Sequence, residues 1–168
     1  RGVSYCATCD GNFFKGKDVA VVGGGNTALE DALYLSDIAN KVYLIHRRDE
    51  FRGEDKYLDE IKTKSNIEII LNSNVTSING NDMLESITIN DDREINISGL
   101  FIAVGQEPKN EMFKEVIEID EKGYIKTDDG VHTNVDHIYV AGDCRNKQLK
   151  QLTTAVSDGS IAATMAIS

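Results

Sequence analysis

Asp18-Val19-Ala20-Val21-Val22-Gly23-Gly24-Gly25-Asn26-Thr27-Ala28 reads as a strand, a glycine turn and the opening of a helix. Residues 18–22 form an apolar run closed by glycine, the pattern of a strand buried in a parallel sheet. After the turn, Ala28, Leu29, Ala32, Leu33 and Leu35 give residues 26–37 an apolar helical face. Gly23, Gly25 and Ala28 match G-x-G-x-x-A, which gains meaning because it follows a strand and opens a helix. Gly23 is read as allowing the tight turn, Gly25 as letting a pyrophosphate approach, and Ala28 as keeping helix and strand close. The helix N-terminus offers free N–H groups and positive dipole to the phosphates. The competing reading is a glycine-rich connection that binds nothing.

Outward from this stretch the pattern repeats. Val42 to Ile45 reads as a second buried strand, residues 54–64 as a helix with Tyr57, Leu58 and Ile61 at helical spacing, and residues 67–71 as a third strand. The order β-α-β-α-β implies a right-handed, parallel, three-layer nucleotide fold. Residues 75–78, 84–89 and 94–97 alternate, with turns at 79–82 and 90–92, and predict an antiparallel meander over or beside that sheet. Residues 100–105 predict another buried strand. Residues 106–110 hold the single proline, Pro108, and are the expected boundary between residues 1–105 and residues 106–168. Beyond it the pattern predicts a short extended segment at 124–127, a buried strand at 137–141 and a final helix from about Leu152.

The second strand ends in His46-Arg47-Arg48, with Arg52 one turn on. An NAD site usually places Asp or Glu here for the ribose 2′-hydroxyl. Cations pair instead with a 2′-phosphate, bidentately for arginine. The pattern favours NADPH. A basic solvated turn is the plainer alternative, and Asp49 and Glu50 stand close enough in sequence to pair with these arginines.

Cys6-Ala7-Thr8-Cys9-Asp10-Gly11 has three readings. A zinc half-site lacks partners, because only Cys144 remains and His46, His132 and His137 show no metal spacing. A structural pair is uncommon inside cells. A redox dithiol is the preferred reading. Asp10 could exchange a proton with the attacking or departing thiol, or it could be only a turn residue. Cys144 reads as a small buried hydrophobe.

The chain has 168 residues and a formal charge of -10, which argues against nucleic acid or an anionic membrane as partner. No apolar run is long enough to span a bilayer, and residues 1–5 lack the core of a signal peptide. A cytoplasmic protein is expected. Both ends read as cut, the chain starting without Met and stopping within an apolar, Ala-rich helical pattern.

Together these motifs resemble low-molecular-weight, bacterial-type thioredoxin reductase. The resemblance rests on Cys6–Gly11, on Gly23–Ala28 and on His46-Arg-Arg-Asp-Glu-Phe-Arg52. Gly142-Asp143 and Lys150-Gln151-Leu152-Thr153-Thr154-Ala155 extend it over essentially the whole chain. That family is a homodimeric flavoenzyme passing electrons from NADPH through FAD to a Cys-x-x-Cys disulfide and on to thioredoxin. The resemblance implies that Cys6 and Cys9 are the redox pair and Asp10 the acid–base group. It sets Gly23, Gly25, Asn26 and Thr27 along the NADPH pyrophosphate and counts His46 among the nucleotide contacts. Arg47, Arg48 and Arg52 would face the 2′-phosphate. Gly142 and Asp143 would meet the FAD ribityl chain, and Lys150, Gln151 and Leu152 the isoalloxazine. Lys150 stands where the family commonly has arginine.

The family's N-terminal FAD-binding motif has no counterpart here. Residues 1–105 are therefore expected to be a Rossmann-like NADPH domain, and residues 106–168 the C-terminal part of a similar FAD domain. This stretch by itself is expected to be inactive. An alkyl hydroperoxide reductase flavoprotein, or a non-catalytic NADPH-binding redox sensor, are the alternatives.

Overall fold

The computed structural model describes residues 1–128 and 130–167. They form two compact units, Arg1–Gly105 and Gln106–Ser168.

In the first unit the elements run β1 (Val3–Ser4), α1 (Ala7–Asp10), β2 (Asp18–Gly23), α2 (Asn26–Ser36), β3 (Lys41–Ile45), α3 (Asp55–Thr63) and β4 (Ile67–Ile70). β5 (Val75–Asn79), β6 (Ser86–Ile89), β7 (Arg93–Asn96) and β8 (Gly99–Ala103) complete it. The apolar runs of β2, β3 and β8 become the centre of a five-stranded sheet, order β1-β8-β2-β3-β4. All its pairings are parallel. The alternating segments form an antiparallel three-stranded meander, order β5-β6-β7.

The pleat sends alternate residues to opposite faces. Val19, Val21, Val42, Leu44 and Phe101 pack with Ala28, Leu29, Ala32 and Leu35 of α2. Ala20, Ile45 and Leu100 pack with Ile87, Ile89 and Ile95 of the meander. The meander therefore lies over the sheet, and the layers are helix, parallel sheet, antiparallel sheet. Leu29, Leu35, Leu44, Ile45, Ile87 and Leu100 have no exposed surface. Burial of each contributes about 1.5–3 kcal/mol.

β1 is an element that the sequence pattern did not anticipate. Val3 and Ser4 pair with Leu100 and Phe101, which fixes the chain immediately before Cys6.

In the second unit, Ile117, Ile125 and Val140 form a small core with Ile138 and Cys144. α4 (Leu152–Ala166) is the expected final helix; Ser168 lies outside the described residues. The strand expected at 137–141 does not form. His137 takes φ 65°, which interrupts an extended run, and the segment's pairing is the isolated bridge His132–Tyr139. Among the described residues no helix is long and apolar enough to cross a membrane.

Candidate active site

In a parallel sheet every strand's carboxyl end lies on one edge, and ligands bind there, where the strand order reverses. β2 continues to β3 on one side and is flanked by β8 on the other. That edge therefore carries the cysteine pair after β1, the glycine turn after β2 and the arginine loop after β3. The cysteine connection is two strand spacings from the glycine turn, about 10 Å, and the arginine loop one spacing, about 5 Å.

Cys6 and Cys9 are joined in a disulfide. Cys9 is exposed and Cys6 half-buried. The Cys6 Sγ accepts the Cys9 N–H at 3.2 Å. Ser4, buried at the end of β1, donates its hydroxyl to Asp10 Oδ2 at 2.7 Å and accepts the Cys6 N–H at 3.1 Å. Asp10 is thus held beside the cysteines rather than free in a turn. Phe13 follows three residues later with 75% of its surface exposed. Composition gave Ser4 and Phe13 no signal; β1 and the short turn after α1 place them.

The glycine turn is made by lack of space, not by unusual backbone angles, since none of its glycines has positive φ. Gly23 ends β2, and a Cβ there would lie 2.3 Å from the Ala103 carbonyl and 2.7 Å from Ala28 Cβ. The absence of a side chain lets β2 approach both the neighbouring strand β8 and the helix α2 closely at this turn. A Cβ on Gly24 would meet the His46 ring at 2.1 Å. Gly25 has nothing within 4 Å of its Cβ position. It also heads α2 without any side-chain cap. Open space at an uncapped helix N-terminus of this length suits a pyrophosphate.

Asn26 does not point its amide at that space. Its Oδ1 accepts the Glu54 N–H at 2.8 Å and its Nδ2 donates to Glu54 Oε1 at 2.8 Å. What Asn26 offers an anion is its backbone N–H. Thr27, next along, is exposed.

His46 is buried, stacks on Phe51 with ring centroids 5.1 Å apart, and carries an Nε2 with no partner among the described residues. Burial holds its pKa below the usual value; a hydrogen bond to the Glu50 backbone opposes this, and the charges of Arg48, Arg52 and Arg47 add to the lowering. Burial and the nearby guanidinium charges thus favour the neutral imidazole. Arg47, Arg48 and Arg52 are themselves exposed. Among the described residues, arginine ion pairs are made by Arg93 and Arg145. Asp49 and Glu50 do not neutralise the loop, and its charge is available to a phosphate.

In the second unit Gly142, at φ 89°, leads into Asp143, whose side chain is 50% exposed and lies 3.6 Å from Lys147. Lys150 sits 4.0 Å from the centre of the Tyr124 ring. Gln151 heads α4, its N–H donating to Thr154 Oγ1 at 3.1 Å. Leu152 is 80% exposed. Behind Gly142, buried Asp158 accepts its N–H at 3.0 Å, Arg145 Nε and Nη2 at 2.9 Å each and Lys147 at 2.9 Å. These bonds, led by Arg145, hold the Asp158 carboxyl far below the usual carboxylate range against the opposing effect of burial. Sequence reading missed Asp158, whose partners lie 11 to 16 residues away.

A disulfide, a nucleotide-type turn and a cationic loop thus share one sheet edge. The sequence profile of the pyridine nucleotide-disulphide oxidoreductases matches residues 1–159, and the chain belongs to that family. It is 41% identical over 177 residues to a thioredoxin reductase of Peptoclostridium acidaminophilum, covering 99% of this chain and 56% of the relative. It is likewise 41% identical over 169 residues to thioredoxin reductase of Bacillus subtilis, covering 97% and 54%. The crystal structure of thioredoxin reductase from Streptococcus pyogenes matches with a TM-score of 0.91 and 41% identity, covering 99% of this chain and 56% of that one. The chain spans little more than half the length of these relatives.

Proposed function

We propose that this chain is the NADPH-binding, disulfide-bearing portion of a cytoplasmic, homodimeric thioredoxin-disulfide reductase. Residues 1–105 form the NADPH domain, and residues 106–168 contribute one part of an FAD domain. The observation that carries this reading is the placement of the Cys6–Cys9 disulfide on the sheet edge that also holds the uncapped glycine turn and the exposed arginines.

The residues fit the two cofactors. Gly25 leaves room for the pyrophosphate against the N–H groups of Asn26 and Thr27. Arg47, Arg48 and Arg52 offer a 2′-phosphate charges that no carboxylate among the described residues pairs. Exposed Asp143 suits a ribityl hydroxyl, and Leu152 and Gln151 suit the edge of a flavin ring. When bound, NADPH supplies a hydride and FAD a two-electron relay.

The chain's own chemistry takes place at the sulfurs. Two electrons and two protons convert the Cys6–Cys9 disulfide to a dithiol. Asp10, oriented by the Ser4 hydroxyl, gives and takes the proton at that pair. One thiolate then attacks a thioredoxin disulfide, forming a mixed disulfide and releasing a thioredoxin thiolate. The second cysteine cleaves the mixed disulfide. Cys6–Cys9 re-forms, and thioredoxin leaves as the dithiol. Exposed Phe13 supplies an apolar contact for that partner beside the sulfurs.

The test uses the intact protein with NADPH, thioredoxin and a chromogenic disulfide. Steady NADPH oxidation that is lost in Cys6→Ser and in Cys9→Ser is expected. Nucleotide binding without turnover would instead identify a redox sensor.

A further inference from the structure

The pyrophosphate turn and the arginine loop are locked into one body by four bonds. The Gly24 carbonyl accepts the N–H of Arg52 at 2.7 Å and of Gly53 at 3.2 Å. The Asn26 side chain takes both the backbone N–H and the carboxylate of Glu54, each at 2.8 Å. Gly53 completes the fit, since a Cβ there would lie 2.4 Å from Leu29 Cδ1 and 3.1 Å from Asn26 Oδ1. The loop between β3 and α3 is thereby tied at its far end to the first turn of α2. Its near end is tied by the His46 ring against Gly24. Exposed arginines on an untethered loop would lose rotamer and backbone freedom on gripping a phosphate. Here the backbone share of that cost is met beforehand.

Resting on the NADPH reading above, we infer that Asn26 is a positioning residue for coenzyme selectivity. Its side chain does not touch the nucleotide. It holds Glu54 so that Arg52 and its neighbours meet the 2′-phosphate at the distance set by the pyrophosphate turn. Asn suits this role because one amide supplies an acceptor for the peptide N–H and a donor for the carboxylate. Aspartate would face Glu54 with a like charge, and alanine would leave the peptide N–H to water and the carboxylate to Lys56 alone, 2.8 Å away.

The experiment is calorimetric titration of the intact protein with 2′,5′-ADP, which carries the 2′-phosphate, and with 5′-AMP, which lacks it. The unaltered protein should bind 2′,5′-ADP at least tenfold more tightly. Asn26→Ala should weaken 2′,5′-ADP about tenfold, the scale of one hydrogen bond to a charged group, and 5′-AMP less than threefold. Asn26→Asp should do the same. Pairing it with Glu54→Gln reverses donor and acceptor across the same two atoms and should restore most of the loss. Glu54→Ala, an exposed change that spares the backbone bond, should give a smaller loss in the same direction. Equal weakening of both probes, or no rescue in the reversed pair, would reduce Asn26 to a fold-supporting residue and overturn the inference. Equal affinity of the unaltered protein for both probes would refute the arginine reading itself before any variant is made.

Discussion

Gly24→Ala isolates the packing of one ring on one turn. The added Cβ would sit 2.1, 2.3 and 2.6 Å from Cε1, Nδ1 and Nε2 of His46. Carbon atoms settle at about 3.5–4.0 Å, so the ring or the turn must move by about 1.5 Å. The ring has little freedom: it is buried and stacked on Phe51. The turn has little either, because the Gly24 carbonyl holds Arg52 and Gly53. Backbone strain contributes nothing, since Gly24 does not have positive φ. Overpacking of this kind costs about 1–3 kcal/mol, and two fixed partners place it near the upper end. For a unit of about 100 residues, 3 kcal/mol lowers the melting temperature by about 12 °C or more. His46→Ala removes the obstacle at its own cost. In that background Gly24→Ala should cost less than about 1 kcal/mol, a coupling near 2 kcal/mol in the double-mutant cycle. Urea melts of the four proteins measure it. An equal cost of Gly24→Ala in both backgrounds would refute the ring-on-glycine account.

Three further outcomes are expected. Asp158→Asn leaves Arg145 and Lys147, 12% and 8% exposed, without their carboxylate, and should destabilise the second unit by about 3–5 kcal/mol in thermal melts. Because folding depresses the Asp158 pKa, its contribution is full above about pH 4 and is lost as pH falls further; acid titration of the Asp158→Asn variant should show that loss abolished. Asp31 behaves oppositely: burial and then the Glu30 charge push its carboxyl up to about 6. The folded state holds a proton that the unfolded state releases between about pH 4 and pH 6, so stability falls as pH rises through that window. Discounted for partial exposure, the penalty is about 1 kcal/mol, and Asp31→Asn should gain that much at pH 7 and nothing at pH 4 by melting temperature. Ser4→Ala releases Asp10 and strands the Cys6 N–H, at a cost of about 1–2 kcal/mol. Stopped-flow reoxidation of the reduced intact protein by a chromogenic disulfide should slow, while Ser4→Thr keeps the hydroxyl and the rate.

The helix and sheet layers were legible because each has a period. The unbroken run of β2 and the alternation of the meander both register in a short window, and they lead to the right layers. β1 was not legible, because two residues carry no period and their pairing with Leu100 and Phe101 spans almost the whole unit. The glycine turn and the arginine loop were legible as residue types. What they do was only partly so: Gly23 serves packing, His46 is buried beneath the turn, and the Asn26 amide is spent on Glu54. The last two depend on contacts 22 and 28 residues apart, and the tightest Gly23 contact is with Ala103, 80 residues on; no local window contains them. The Asp158 cluster escaped for the same reason. The strand expected at 137–141 failed because an apolar run specifies burial without supplying a neighbour to pair with.

The sulfur pair, the glycine turn and the arginine segment leave the sheet through three separate connections. Changes in the connection that carries the sulfur pair need not propagate through the scaffold to the other two, which are bonded to each other. If the proposed function holds, a lineage carrying this layout can change the partner of its sulfurs without touching its nucleotide site, whereas positions 24, 26, 46 and 52–54 change together.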